Sequence, residues 1–376
     1  MKVKKLILFS VLIIFIFSVT LSYASGVESD ADSMSDDYGS EIYSYLDDET
    51  RDVLSSFGID SLDFDSVFNI SFTKSLKAVG DMLKSSAVEA VPYFFKMLAM
   101  LIILAATAEL RPKKIGEKDT VATVFSLTTV LMTAAFISDI LTQTVAVFNL
   151  TGKLLLLLAP IITALLSVSG NVTASVLYNS VTVAIAQIIS AVSSNLLIPL
   201  IGVYLSFVIS LDISDGIKGD KLIFNMNKIL TGIFAAMSTG FTFIISIKNV
   251  LAKELDGVLY KSGKYVISSF IPVVGSNISA MLSSVIGSLE LVKSTVAVFG
   301  VICVAAINIP VIAKLCVSYA ALSVLGVISD LFSVSSASSA LKGFAGGVKL
   351  LIAIVFFELV LVIISLGLTV MIRGSV

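Results

Sequence analysis

The groups in this chain with chemistry to offer are ionisable side chains set inside apolar runs. Lys96 and Glu358 lie deepest; Glu109, Asp139, Lys153, Lys228, Lys314 and Asp330 lie nearer the ends of their runs. An ionised group in hydrocarbon is costly, so it turns to a bundle interior or a water-filled cavity. Near a span end a long side chain can instead snorkel to the interface. The end-proximal set fits snorkelling, which leaves Lys96 and Glu358 as the expected paired or cavity-facing charges.

Composition excludes most other chemistry. The 376 residues include no histidine, which removes the usual proton relay, the commonest metal ligand and any Ser-His or Cys-His pair. Cys303 and Cys316 both fall in apolar segments and read as small buried hydrophobes rather than a redox pair. There is no Walker A sequence, no dinucleotide fingerprint and no basic stripe for nucleic acid. The expectation is therefore a non-enzyme: no catalytic, cofactor-binding or metal-binding residues, no cofactor and no nucleic-acid partner.

The elements that must position these charges are membrane helices. Hydrophobic residues make up 57% of the chain and charged ones 14%, with a mean hydropathy of +1.03. Such a chain reads as an all-α polytopic membrane protein in contact with lipid. Residues 1–24 have the form of a signal peptide: Lys2, Lys4 and Lys5, an apolar core, then Ser22 and Ala24 as small residues before a cleavage between Ala24 and Ser25. An uncleaved anchor is the alternative. Residues 25–90 carry fifteen of the 27 acidic residues and read as a small exported helical domain. Ile42, Leu46, Val53, Leu54 and Phe57 predict a short helix or two broken at Gly58; Phe72, Leu76, Val79 and Leu83 recur at helical spacing.

Residues 91–376 form the multi-span region, with about seven to nine transmembrane helices expected from the apolar runs. The first run ends at the basic cluster Arg111, Lys113, Lys114 and Lys118, which belongs in the cytoplasm by the positive-inside rule and agrees with an exported domain before it. Spans are expected at 121–141 and 154–168, one or two between 176 and 211, then at 229–247, 295–313, 315–331 and 350–372. The four lysines of 248–264 conflict with simple alternation, and Arg373 leans the C-terminus towards the cytoplasm.

Several spans are expected to be broken by Pro or Gly. Four of the six prolines share one context: Pro160, Pro199, Pro272 and Pro310 each follow an apolar residue and precede Ile, Leu or Val, and Pro199-Gly202 and Pro272-Gly275 share the form I-P-x-x-G. Broken helices in corresponding positions point to a translocation path, so Pro272, Gly275, Pro199 and Gly202 are the candidate hinge or conduit residues. Proline is also common in membrane helices generally, so the pattern alone does not establish a duplication. Gly343 and Gly347 form a G-x-x-x-G spacing in a Ser- and Gly-rich stretch that reads either as a helix contact or as a loop.

The stretch KYVISSFIPVVGSNISAMLSS, with the charged amphipathic segment before it and the Ser/Gly-rich run with Lys342 and Lys349 before the last span, resembles the stage III sporulation protein AE family of endospore-forming Firmicutes. The resemblance covers essentially the whole arrangement of the chain. It implies a structural or transport component of the channel between mother cell and forespore, multi-pass in the mother-cell-derived outer forespore membrane, with the N-terminal domain extracytoplasmic. Implied partners are the other stage III A-set proteins, including a separate ATPase, and a forespore-side channel partner. The alternative is a self-contained small-molecule permease or exporter of the autoinducer-exporter kind.

Overall fold

Leu, Ile, Val and Ala fill the long segments of this chain, and a computed structural model shows them as helices. It describes residues 42–59, 72–109, 120–168, 275–332 and 334–371, with isolated positions between 175 and 239. The secondary structure of the described residues is helical throughout. The elements are α1 (Asp48–Phe57), α2 (Phe72–Glu109), α3 (Thr120–Val168), α4 (Gly275–Leu331) and α5 (Ser335–Met371). Among the described residues the protein is all-helical, and four helices are long and apolar enough to cross a membrane: Thr73–Thr107, Leu127–Val168, Ser294–Leu331 and Ala337–Gly367.

α1 forms where its capping residues dictate. Asp47 is the N-cap and its carboxylate accepts from the Thr50 amide at 3.1 Å, satisfying a donor that the first turn leaves free. Gly58 ends the helix in the left-handed region, at φ 88°, where a side chain would be strained. Val53, Leu54 and Phe57 are buried, as are Ile42 and Leu46 just before the helix. Tyr43 stacks on Phe299 of α4 with ring centroids 5.8 Å apart, so this small acidic element is seated on the bundle.

Cross-helix contacts fix the helix directions. Tyr93 Oη donates to Thr133 Oγ1 at 3.1 Å and its ring stacks on Phe136, while Glu89 and Asp139 both meet Lys314. α2 and α3 are therefore antiparallel. Gly300 approaches Leu158 and Leu366, and Gly326 approaches Leu341 and Lys342, so α4 runs antiparallel to α3 and to α5. The C-terminal end of α2 and the α4–α5 turn thus share one end of the bundle, and α5 ends at Met371 at the other.

The helices are longer and fewer than the apolar runs. α3 has 49 residues and α4 has 57, about 74 and 85 Å at 1.5 Å per residue, against a hydrocarbon thickness of about 30 Å. The expected pair of spans at 121–141 and 154–168 is one continuous helix. So is the pair at 295–313 and 315–331. The polar residues between them do not end a helix: Thr144 and Thr151 are buried, while Asn149 and Lys153 open to a groove. Pro160 and Pro310 lie inside α3 and α4, and Pro92 inside α2, so these three prolines do not break their helices. Ser335–Gly347, expected as a helix contact or a loop, is the first part of α5.

The core sits around α4. Every residue from Thr295 to Asn308 is buried by protein. Beyond Pro310 the pattern changes: Ala320, Val324, Val327 and Leu331 are exposed at helical spacing. α2 exposes Val88, Val91, Phe95 and Ile102 in a similar stripe. Such apolar stripes are what a lipid-facing helix presents, since lipid contact costs an apolar side chain nothing.

Candidate functional site

Lys314 sits partway along α4, where that helix passes from wholly buried to partly exposed. Its ammonium lies 3.4 Å from Glu89 Oε2 of α2 and 3.7 Å from Asp139 Oδ2 of α3. One lysine thus ties three helices at one level. The pairs are half-open to the surroundings, with Lys314 at 23% exposure and the carboxylates above 60%.

Two adjoining grooves flank this ion-pair cluster. One, about 490 Å³, lies between α2, α3 and α4 and is lined by Tyr93, Lys96, Asp139 and Lys314. The other, about 710 Å³, lies between α1 and the bundle. Asp47 and Glu49 of the α1 end face it, with Lys153, Asn149 and Lys314 from the bundle. Both include Ser86 and Glu89. The result is a mixed-charge channel along one side of an otherwise apolar bundle.

A second polar feature lies below the cluster, wholly inside. Thr151 of α3, Asn308 of α4 and Glu358 of α5 are buried to 4% exposure or less. Asn308 Nδ2 donates to Thr151 Oγ1 at 3.3 Å and to the Val304 carbonyl at 2.9 Å. Thr151 stands beside the Glu358 carboxyl, yet neither Glu358 oxygen makes a hydrogen bond of normal geometry, and Asn308 Oδ1 has none either. By contrast, the buried hydroxyls of Thr133 and Thr144 each donate to the carbonyl four residues back.

The two glycines of the G-x-x-x-G spacing do hold a close contact. Tyr204 Oη donates to the Gly343 carbonyl at 2.7 Å, and a Cβ on Gly347 would come within 3.2 Å of the Tyr204 ring. At Gly202, by contrast, an added Cβ meets nothing within 4 Å among the described residues. Gly275 is the first residue of α4. Pro272, Pro199, Ala24 and Ser25 lie outside the described residues.

The two charges singled out from sequence are not brought together. Lys96 is exposed and lines the smaller groove; Glu358 is buried beside Thr151. Sequence reasoning passed over Glu89, counted with the exported domain, and Asn308, a lone amide in the run Ile307-Asn308-Ile309. A buried amide in an apolar run is the signal that could have found it.

The chain matches the family model for stage III sporulation protein AE over residues 64–373. It belongs to that family. The stage III sporulation protein AE of Bacillus subtilis (strain 168) is a relative, 29% identical over 168 residues. That alignment takes in 43% of this chain and 41% of the relative, so it spans less than half of either. No solved structure matches the chain. Membership makes this a stage III sporulation protein, and its apolar helices make it a membrane protein.

Proposed function

We propose that the chain is a non-enzymatic structural and transport component of the channel that joins mother cell and forespore during endospore formation. The family match over residues 64–373 carries this reading. The bundle suits it: a lipid-facing exterior, a sheathed core and a mixed-charge groove whose ion pairs can rearrange as a partner engages.

In this reading residues 1–24 are a cleaved leader, residues 25–90 face the space between the two membranes, and residues 91–376 form the multi-pass membrane body. The membrane is the mother-cell-derived outer forespore membrane. Partners are the other stage III A-set proteins, a separate ATPase among them, and a forespore-side channel protein. Pro272 and Gly275 shape a buried turn, and Pro199 and Gly202 a hinge, that line or gate the conduit.

The test is a deletion strain scored for forespore development after engulfment, with purification of the membrane proteins that a tagged copy retains. Arrest after engulfment and co-purification of stage III A-set proteins support the channel. Normal spores, or a tagged copy that exports a small solute with no partner bound, overturn it.

A further inference from the structure

Among the described residues, the junction between α3, α4 and α5 holds three polar oxygens without partners: both carboxyl oxygens of Glu358 and Oδ1 of Asn308. Glu358 is 4% exposed and Asn308 and Thr151 are fully buried, and the cover is protein. An ionised carboxylate in such a place is far too costly to stand unpaired; it takes up a proton or a cation instead.

No described charge is placed to neutralise it. On α3, Lys153 is exposed and lines the outer groove. On α4, Lys314 is held by Glu89 and Asp139. On α5, Lys349 is exposed. The acidic residues Asp47 and Glu49 of the α1 end and Glu89 of α2 face the groove, not the junction.

Donor and acceptor counting says which ligand fits. Asn308 gives its amide hydrogens to Thr151 Oγ1 and to the Val304 carbonyl. Thr151 therefore accepts from Asn308 and has its own O–H left to give. Asn308 Oδ1 needs a donor, and Glu358 as carboxylate has only acceptors. One proton on Glu358 supplies the missing donor. Its O–H can then serve Asn308 Oδ1, the Thr151 O–H can serve the other carboxyl oxygen, and the ring of hydrogen bonds closes. A sodium ion could coordinate the same acceptor oxygens without any donor, so access decides between the two. Neither groove reaches the junction to house it.

We infer that Glu358, Asn308 and Thr151 form a proton-binding site inside the bundle, at which the proton is the ligand that joins α3, α4 and α5. Release is a simple acid dissociation: the O–H bond breaks, the electron pair stays on the carboxylate and the proton passes to water. The resulting carboxylate repels the Asn308 carbonyl and loosens the junction, so bundle packing is linked to proton concentration. This goes beyond the channel reading and does not depend on it.

The experiment uses the full-length protein in lipid nanodiscs and infrared difference spectroscopy. At neutral pH the surface carboxyl groups are ionised, so a protonated-carboxyl C=O stretch reports a buried acid. The wild type is expected to show that band, Glu358→Gln to lose it, and Asn308→Leu and Thr151→Val each to shift it by removing a hydrogen-bond partner. Alkaline titration is expected to remove it reversibly. If Glu358→Gln does not fold, the shifts in the other two variants assign the band. Absence of the band in the wild type overturns the inference, as does its persistence in Glu358→Gln. Loss of the band on adding sodium chloride at constant pH, with potassium chloride inert, overturns it in favour of a sodium site.

Discussion

Lys314 Nζ stands 3.4 Å from Glu89 Oε2, joining the middle of α4 to α2, and reaches Asp139 of α3 from the other side. Both carboxylates are more than half exposed, and exposed pairs contribute at most about 1 kcal/mol each. Lys314→Met is therefore expected to lower stability by no more than about 2 kcal/mol for the two pairs, measured by thermal unfolding of the detergent-solubilised protein. A larger loss would mean that lipid rather than water surrounds the groove.

Gly300 is needed for close approach. At Gly300 a Cβ would lie 2.7 Å from Leu158 Cδ1 and 3.3 Å from Leu366 Cδ1. Gly300→Val is expected to cost about 1–3 kcal/mol through overpacking. Gly202→Ala is the control, since an added methyl group meets nothing there among the described residues. Equal melting shifts in the two variants would refute the packing account.

The seating of α1 depends on its caps. Asp47→Ala removes the side chain that accepts from the Thr50 amide and is expected to weaken the helix by about 1 kcal/mol. Gly58→Ala forces a methyl group into a left-handed backbone at a cost of about 1 kcal/mol. Faster hydrogen exchange across residues 48–57 in both variants, with α3 unchanged, is the expected reading. Unchanged exchange would show that packing on Phe299 alone holds the helix.

These elements differ in how far the sequence foretold them. The body of α1 and its end were legible, because the apolar spacing around Leu54 and the break at Gly58 are local signals; its start at the Asp47 cap came only with the structure. The long helices were not. Lys314 and the Asp139–Lys153 stretch look like span ends when each is judged by its own hydropathy. They lie mid-helix because Glu89, Asp139 and Lys314 answer one another from three different elements, which no window along the chain can register. Ser335–Gly347 reads equally as loop by its small residues; it is helical because Tyr204 packs where those residues leave room. Glu358 stood out as a charge in an apolar run, whereas its neighbours Thr151 and Asn308 came into view only once α3, α4 and α5 were side by side.

Lys96 and Glu358 are expected to behave differently when neutralised. Lys96 is exposed on the groove wall, so Lys96→Met is expected to leave folding within about 0.5 kcal/mol of wild type. Any effect on sporulation then reflects groove function, read as heat-resistant spore counts against membrane protein level. Glu358→Lys places a bulky cation in a sealed junction and is expected to abolish accumulation of the protein in membranes. Normal accumulation of that variant would show that the junction opens to water.

The enclosure of Thr295 to Asn308 also bears on the order of events during synthesis. Asn308 bonds to Thr151, a residue 157 positions earlier. Gly300 packs on Leu366 near the end of the chain, and Phe299 receives Tyr43 from near its start. Contacts this distant in sequence close late. The most apolar stretch of α4 must therefore wait, after leaving the ribosome, for α5 to be made before its surroundings are complete. Until then the nascent chain holds an unfinished core, and the arrival of α5 as far as Leu366 decides when the body of the protein is sealed.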